Sequence, residues 1–255
     1  MIRKVNLGET GIEVSELCSG SGTSGWSGSS DQTRLGKKKF IELLVYGYQR
    51  GISFWDSADQ YGSHAHVRAA LKEIGRENIV FTTKTCATTR AEAEKDIARF
   101  LKETGTDYLD IVLMHCMTST NWADERSSVV DALEEAKQKG IIRAHGVSCH
   151  HFGAFQSAAK NPWVDVVLAR INHSGVHMDA SVPEVIKVLE EMHERGKGIY
   201  GMKVLGVGDL SGDVIGSLAF VRELECVDAI VIGMISREQI DQNVDFFEEP
   251  VLAGV

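Results

Sequence analysis

The chain has 255 residues, of which 43% are hydrophobic and 25% charged, and its net charge at pH 7 is −9. This acidic balance disfavours a nucleic-acid backbone or an anionic membrane surface as partner. The start lacks the apolar stretch of a secretory signal, and no run approaches transmembrane length. Five cysteines without C-x-x-C spacing predict neither a disulfide framework nor a zinc site. We therefore expect a cytoplasmic protein with a single domain over residues 1–255.

Short apolar runs alternate with amphipathic stretches along the whole chain. The first run is preceded by residues 4–14, which are typical of a hairpin that turns at residues 9–11. Near-continuous apolar character within each run is typical of parallel strands that are covered on both faces. The predicted strands are 14–20, 52–58, 78–84, 109–115, 143–149, 164–172, 198–205 and 227–234.

Helical patterns occupy the stretches between these runs, among them residues 90–104, 127–140 and 182–196. Eight strands alternating with eight helical segments predict an α/β fold, a closed (β/α)8 TIM barrel with the N-terminal hairpin closing its floor. An open, doubly wound sheet is the alternative, but such sheets commonly have fewer strands. The glycine-rich residues 20–30 do not fit the G-x-G-x-x-G fingerprint, which favours a loop at the barrel mouth.

Four polar residues follow consecutive predicted strands. Asp56 and Tyr61 come after the second strand, Lys84 ends the third, and His115 ends the fourth. Because the carboxyl ends of barrel strands meet at one rim, we expect a shared site. An ammonium lowers the pKa of a neighbouring phenol, a carboxylate keeps the ammonium charged, and an imidazole can polarise a carbonyl. Such a set, with a hydride donor, predicts reduction of aldehydes or ketones.

The stretch FWDSADQYG, residues 54–62, resembles the F-D-T-A-x-x-Y-G signature of the aldo-keto reductase superfamily. Residues 7–23 resemble the superfamily's hairpin and first strand, residues 140–150 its fifth strand, and residues 231–244 its last strand and cofactor-binding helix. The resemblance implies an NAD(P)H-dependent reductase in which Tyr61 donates the proton. Its implied catalytic tetrad is Asp56, Tyr61, Lys84 and His115.

The resemblance also implies a cofactor, NADP(H) with NAD as the alternative, extended over the barrel top. Glycines of residues 205–208 are expected to admit the pyrophosphate, and the start of the last helix is expected to hold the adenosine end. The implied cofactor contacts are Thr23, Asp56, Ser148, Asn172, Met202, Lys203, Leu205, Gly206, Gly208, Gly233, Ser236, Arg237, Gln239 and Asn243.

Several positions depart from the superfamily pattern. Cys149 follows Ser148 where the family usually has Asn, and Leu168 stands where it usually has Gln, which leaves Asn172 as the expected replacement. Met202 and Lys203 stand at the position of the aromatic that stacks on the nicotinamide. Met234 stands where a basic residue often holds the 2′-phosphate, so Arg237 is expected to substitute.

The substrate is expected to be a small carbonyl compound in an open pocket. Three aromatic residues are expected to wall it, with Trp55 nearest the substrate, although each is also compatible with a core position. The connections 116–128 and 206–214 are short, and only a short stretch follows Asn243. These features imply a short-loop, C-terminally truncated member with broad activity, in which Phe246 and Phe247 form a partial lid or dock another chain. The three wall residues are Trp26, Trp55 and Trp122.

Other readings of the chain remain open at this point. Three cysteines follow neighbouring strand ends and could ligate a metal or sense oxidants, although inert buried thiols are favoured. His64 and His66 do not share a helical face, so we expect solvated side chains and no metal site. The protein could instead be a cofactor-binding regulatory or redox-sensing subunit with slow chemistry, or an alcohol or sugar dehydrogenase. The oligomeric state is left open. The three cysteines are Cys86, Cys116 and Cys149.

Overall fold

The computed structural model describes residues 1–249, which form ten strands and ten α-helices. The strands are β1 Lys4–Asn6, β2 Glu13–Ser15, β3 Leu17–Gly20, β4 Phe54–Asp56, β5 Val80–Thr85, β6 Leu109–Met117, β7 Ile142–Cys149, β8 Val166–Arg170, β9 Gly198–Met202 and β10 Ala229–Gly233. The helices are α1 Asp31–Arg34, α2 Lys37–Gln49, α3 His64–Ile74, α4 Arg90–Thr104, α5 Trp122–Glu125, α6 Ser127–Gln138, α7 Phe152–Lys160, α8 Val182–Glu194, α9 Val214–Arg222 and α10 Arg237–Glu248.

Strands β3 to β10 close into a barrel, in which β10 pairs with β3 and every neighbouring pair is parallel. The prediction of a (β/α)8 barrel is therefore confirmed. The strand tips stand in register at one end, where Gly20 of β3 pairs with both Gly233 of β10 and Asp56 of β4. Asp56 pairs in turn with Thr82 of β5. This register brings the carboxyl ends of the strands to a common rim, the barrel mouth.

The predicted helix boundaries agree best with the structure where the sequence contains clear capping residues. Helix α4 spans the predicted residues 90–104, with a capping box of Thr89 and Glu92 at its start and left-handed Gly105 at its end. The predicted strand 14–20 instead divides at Glu16 into β2 and β3. The buried Glu16 carboxylate accepts from the Arg222 guanidinium at 3.1 Å, which fixes the chain at this bend.

Side chains of each barrel strand alternate between an inner and an outer core, as the pleat requires. In β4, Phe54 packs inside the barrel, whereas Trp55 packs outside it against the helices. The hairpin β1–β2 contributes Leu7 and Ile12 to the inner core. The hairpin therefore closes the floor of the barrel, and the site must lie at the mouth.

Helix α10 runs from the mouth to the floor. Its N-cap, Ser236, follows β10 at the mouth, and at its other end Arg222 donates to the Phe246 and Phe247 carbonyls. The same guanidinium binds Glu16 before β3, at the floor. The expectation that Phe246 and Phe247 form a lid over the substrate is therefore wrong. The remainder of the C-terminal stretch, residues 250–255, lies outside the described residues.

None of the helices described within residues 1–249 combines the length and the apolar character that crossing a bilayer requires.

Candidate active site

Lys84 and Asp56 form a buried ion pair at the centre of the barrel mouth. Asp56 ends β4 and Lys84 lies on β5, with both side chains directed into the barrel. Lys84 Nζ donates to both carboxylate oxygens of Asp56 at 2.7 Å and to the Ser57 carbonyl at 2.7 Å. Lys84 is fully buried. Burial lowers its pKa, but the charge and hydrogen bond of Asp56, together with Tyr61, raise it by more in sum, so the net shift is upward. The ammonium therefore stays charged.

Tyr61 and His115 lie next to this pair and face each other. The Tyr61 hydroxyl is 3.5 Å from His115 Nε2, and the two rings meet edge to face with centroids 5.8 Å apart. Lys84 Nζ lies 5.2 Å from the centre of the Tyr61 ring. The four residues that the sequence predicted to share a site thus lie together.

The pKa of Tyr61 is raised overall. Burial raises the pKa of the phenol, and this effect outweighs the lowering by Lys84. The predicted sign of the Lys84 effect is therefore right, but burial decides the direction of the net shift. At neutral pH Tyr61 is a protonated phenol, the form that a proton donor requires.

His115 is neutral over the working pH range. Burial, and then the charges of Lys84 and His150, lower its pKa to about 3. The Cys86 sulfur lies 3.7 Å from His115 Nδ1, and burial raises the pKa of this thiol to about 11, so the thiol keeps its proton. A thiol that donates to Nδ1 leaves the imidazole proton on Nε2. His115 can then donate toward the space beside the Tyr61 hydroxyl.

The loop after β3 covers one face of the Tyr61 ring. A Cβ atom added at Gly22 would overlap this ring, so only glycine permits the close approach. The loop is also fastened to the Tyr61 turn, because Gly28 N donates to the Gln60 carbonyl at 2.8 Å. The glycine-rich stretch thus shields the phenol from water on this side.

A cavity of about 940 Å³ opens above these residues. Tyr61 and His115 are among its lining residues. Trp26, the aromatic that the sequence placed in the pocket wall, lines the cavity and is 59% exposed. The predicted catalytic and cofactor residues that line it are Thr23, Asp56, Tyr61, His115, Ser148, Met202, Lys203, Leu205, Gly208 and Gly233.

Asn172 does not line this cavity and is fully buried. Its amide nitrogen donates to the Val176 carbonyl at 2.8 Å and to the Lys203 carbonyl at 3.2 Å, and its oxygen accepts from Ser174 N at 3.2 Å. The side-chain amide of Asn172 is therefore engaged in hydrogen bonds that connect the loops after β8 and β9. The expectation that Asn172 replaces the missing Gln is therefore not supported by its position.

The predicted contacts for the adenosine end lie around the start of α10, outside the cavity lining. Ser236 Oγ accepts from Gln239 N at 3.3 Å, and Gln239 Oε1 accepts from Ile235 N at 2.8 Å. The Arg237 guanidinium lies over the Tyr46 ring, 4.7 Å from its centroid. The remaining predicted cofactor residues outside the lining are Gly206 and Asn243, both buried.

Two of the three predicted wall residues are core residues. Trp55 is 1% exposed and packs outside the barrel, because in β4 it alternates with the inward-facing Asp56. Trp122 is also 1% exposed and donates from Nε1 to the Ala154 carbonyl at 3.3 Å. The prediction that these side chains face the substrate was wrong.

Lys203 lines the cavity and contributes a positive charge to it. Its backbone is left-handed, with φ of +57°, and the ammonium forms no salt bridge with any residue in 1–249. Burial, followed by the nearby Arg170 cation, lowers its pKa. An anionic group of a ligand would relieve this unfavourable environment.

Two polar groups near the site were not predicted from the sequence, His150 and Tyr200. His150 lines the cavity, with Nε2 3.5 Å from the Cys116 sulfur. Tyr200, on β9, is fully buried and donates to Asp56 Oδ2 at 2.8 Å. Tyr200 lies within an apolar run of the sequence. A buried tyrosine hydroxyl needs a hydrogen-bond partner, and this requirement was the one signal that could have indicated a polar contact of Tyr200 inside the barrel.

The cysteines at the mouth have the properties of inert thiols. Burial raises the pKa of Cys86 to about 11 and also raises the pKa of Cys116 and of Cys149. Within residues 1–249 there is no group of three or more His, Cys, Asp or Glu side chains arranged to hold a metal ion. His64, expected to be solvated, is instead buried, with Nδ1 2.7 Å from Glu103 Oε2.

We predict that mild peroxide leaves the cysteines unmodified, because the thiolate is the species that reacts and these thiols stay protonated near neutral pH. The measurement is the mass of dimedone adducts after treatment. An adduct on Cys86, Cys116 or Cys149 that prior treatment with dithiothreitol abolishes would contradict the prediction.

Most of the chain is similar to one family of known proteins. Residues 16–225 match the family model for the Aldo/keto reductase family. Aldo-keto reductase YhdN of Bacillus subtilis is 30% identical over 160 residues, which cover 56% of this chain and 46% of that protein. The chain spans about half the length of the first curated relatives that it matches.

Solved structures show the same barrel. A Pseudomonas aeruginosa protein assigned to the aldo-keto reductases superposes with a TM-score of 0.80 at 24% identity, over 96% of this chain and 93% of that one. An aldo/keto reductase of Klebsiella pneumoniae, in complex with NADP and acetate, gives 0.74 at 18% identity, over 100% and 92% of the chains. The family model covers most of the sequence, and the chain therefore belongs to the aldo/keto reductase family.

Proposed function

We propose that this protein reduces small aldehydes and ketones to alcohols, with NADPH as hydride donor and Tyr61 as proton donor. The observation that carries the proposal is the 3.5 Å approach of the Tyr61 hydroxyl to His115 Nε2 at the base of the open cavity. The Lys84–Asp56 ion pair lies directly behind it. A carbonyl oxygen placed beside both groups would accept two hydrogen bonds from neutral donors.

The cavity suits a dinucleotide in size and charge. Its volume of about 940 Å³ is near the upper end of ligand pockets in proteins. At Gly208, which lines the cavity, a Cβ would meet nothing within 4 Å, so the bare backbone is open to a close-lying phosphate. The uncompensated Lys203 ammonium attracts the same group. The residues present thus fit a nicotinamide dinucleotide.

The roles of this chain's residues follow from their charges. NADPH, when bound, would supply the hydride for the carbonyl carbon. Tyr61 transfers its proton to the carbonyl oxygen, and Lys84 stabilises the phenolate that remains. His115, neutral with its proton on Nε2, orients and polarises the same oxygen. Asp56 holds Lys84 charged and in place.

For the remaining cofactor contacts we propose the following arrangement. Thr23, Ser148, Met202, Leu205 and Gly233 contact the nicotinamide half within the cavity. The start of α10 binds the adenosine end, since a helix N-terminus favours a phosphate. In this arrangement the exposed guanidinium of Arg237 binds the 2′-phosphate, which favours NADPH over NADH.

The activity is tested by following NADPH absorbance with 4-nitrobenzaldehyde and with 9,10-phenanthrenequinone. We expect turnover with at least one of them, and parallel assays with NADH give the cofactor preference. Tight NADPH binding without turnover of any carbonyl would instead favour a regulatory cofactor-binding subunit.

We predict broad and weak specificity. The connection after β9, residues 203–213, lines the cavity and is short. The connection after β6, residues 118–126, contributes no lining residue, and Trp26 is largely exposed. Few contacts to remote parts of a substrate leave little binding energy for discrimination. We therefore expect kcat/KM to vary modestly over a panel of aliphatic, aromatic and sugar aldehydes. A preference of about 10⁴ or more for one substrate would require polar contacts that these loops do not supply, and would contradict an open site.

A further inference from the structure

Tyr200 is a buried phenol that the reaction proposed above does not use. It lies on β9, is excluded from solvent, and packs against Phe54 with ring centroids 5.2 Å apart. Its hydroxyl donates to Asp56 Oδ2 at 2.8 Å, the oxygen that also accepts from Lys84 Nζ at 2.7 Å. Burial, followed by the charge of Asp56, raises the pKa of Tyr200 well above its ordinary value. Tyr200 therefore keeps its proton and acts as a permanent donor.

The contacts form one continuous series inside the barrel. Tyr200 binds Asp56 from below, Asp56 binds Lys84, and the Lys84 ammonium lies 5.2 Å from the centre of the Tyr61 ring. Every member of the series but Tyr61 is at most 5% exposed. In such surroundings charges are poorly screened, so a hydrogen bond donated by Tyr200 at one end of the series changes the electrostatic potential at Tyr61 at the other end.

The sign of the effect follows from the arrangement. The Asp56 carboxylate cancels part of the Lys84 charge as Tyr61 experiences it. The Tyr200 hydroxyl directs its hydrogen at Asp56, and this dipole offsets part of the carboxylate's negative charge. More of the ammonium's positive charge then acts on Tyr61, which favours the phenolate. Tyr200 also holds the carboxylate so that both oxygens face Lys84 at 2.7 Å.

We propose that Tyr200 is a positioning residue of the reaction, which acts through Asp56 and Lys84 to ease ionisation of Tyr61. This inference rests on the proposed carbonyl reduction. It assigns a role to a second tyrosine beneath the four residues at the mouth.

The test is Tyr200→Phe, which keeps the ring against Phe54 and removes only the hydroxyl. The basic limb of the pH profile of kcat should move up by about one pH unit, and turnover near pH 7 should fall roughly tenfold, since hydrogen bonds to charged groups are worth this much. The matched control is Tyr46→Phe. Tyr46 also donates to an aspartate, Asp241 Oδ1 at 2.7 Å, but on the outside of the barrel, so its loss should leave the pH profile in place.

A second readout does not depend on turnover. The chain has five tyrosines, so ¹³C at their Cζ atoms gives five resonances, assigned by single Tyr→Phe variants. The titration of Tyr61 should move to higher pH in Tyr200→Phe and stay in place in Tyr46→Phe. An unmoved Tyr61 titration and pH profile in Tyr200→Phe would overturn the inference and leave Tyr200 as a packing residue. If the wild type reduces no carbonyl, the proposed function fails, and the titration still decides whether Tyr200 acts on Tyr61.

Discussion

Tyr61→Phe should lower kcat for carbonyl reduction by about 10²–10⁴, the usual contribution of a positioned general acid. Among the described residues 1–249, the substitution removes the one hydroxyl that contacts His115 Nε2, while it keeps the ring that packs against Gly22. The 3.5 Å contact is long, so its loss should change the free energy of unfolding by no more than about 0.5 kcal/mol. Binding of NADPH, measured by fluorescence quenching, should be largely unchanged.

Tyr48→Phe is a suitable control for this experiment. Tyr48 lies on α2, away from the mouth, and its hydroxyl makes no hydrogen bond to any residue of 1–249. This variant should retain wild-type turnover. Near-normal turnover in purified, folded Tyr61→Phe would exclude Tyr61 as the proton donor.

Lys84→Met should damage both activity and stability. Lys84 lowers the pKa of Tyr61 against the larger upward effect of burial, so its removal raises that pKa further. We expect kcat to fall by about 10²–10³. Reduction requires the protonated phenol, so any surviving activity should persist to higher pH than in the wild type. The pH profile of kcat/KM measures this shift. His115, with a pKa of about 3, should contribute no limb between pH 5 and 9.

The stability cost of Lys84→Met comes from Asp56. Without the ammonium, this carboxylate stays buried and keeps its hydrogen bond from the Tyr200 hydroxyl, but it has lost its ion-pair partner. Removing one partner of a buried ion pair costs about 3–5 kcal/mol of the free energy of unfolding. The double variant Asp56→Asn with Lys84→Met removes both charges. It should recover much of the free energy of unfolding, measured by urea denaturation, and none of the activity. Equal stability of the single and double variants would show that the charge on Asp56 is not what destabilises Lys84→Met.

The barrel could be predicted because the same sequence pattern recurs along the chain. Each apolar run is followed by an amphipathic stretch, and strong local caps such as Thr89 with Glu92 mark the helix boundaries. The grouping of Asp56, Lys84 and His115 followed from topology, since residues at the ends of consecutive parallel strands must meet at one rim. No side-chain geometry was needed for either inference.

The errors arose where side-chain direction or burial decides the outcome. Trp55 was assigned to the pocket because it precedes Asp56, although the pleat sends adjacent residues to opposite faces. Asn172 has the right chemistry for a carboxamide contact, but the neighbouring loop carbonyls already occupy its amide. The net pKa shift of Tyr61 depends on how far burial outweighs Lys84, and the sequence gives no measure of burial.

The ion pair of Asp56 and Lys84 is built on barrel strands, whereas much of the cavity above it is lined by connections, residues 22–26 after β3 and residues 203–205, 207 and 208 after β9. In the proposed reaction, the ion pair behind Tyr61 and the residues that would meet the substrate after β9 are therefore encoded in separate parts of the chain. Longer or more aromatic connections after β9 should leave this ion pair in place, because strand pairing holds the backbone of both of its members. The fold thus offers an adaptable starting point for directed evolution, in which selectivity can be added to an intact chemical centre.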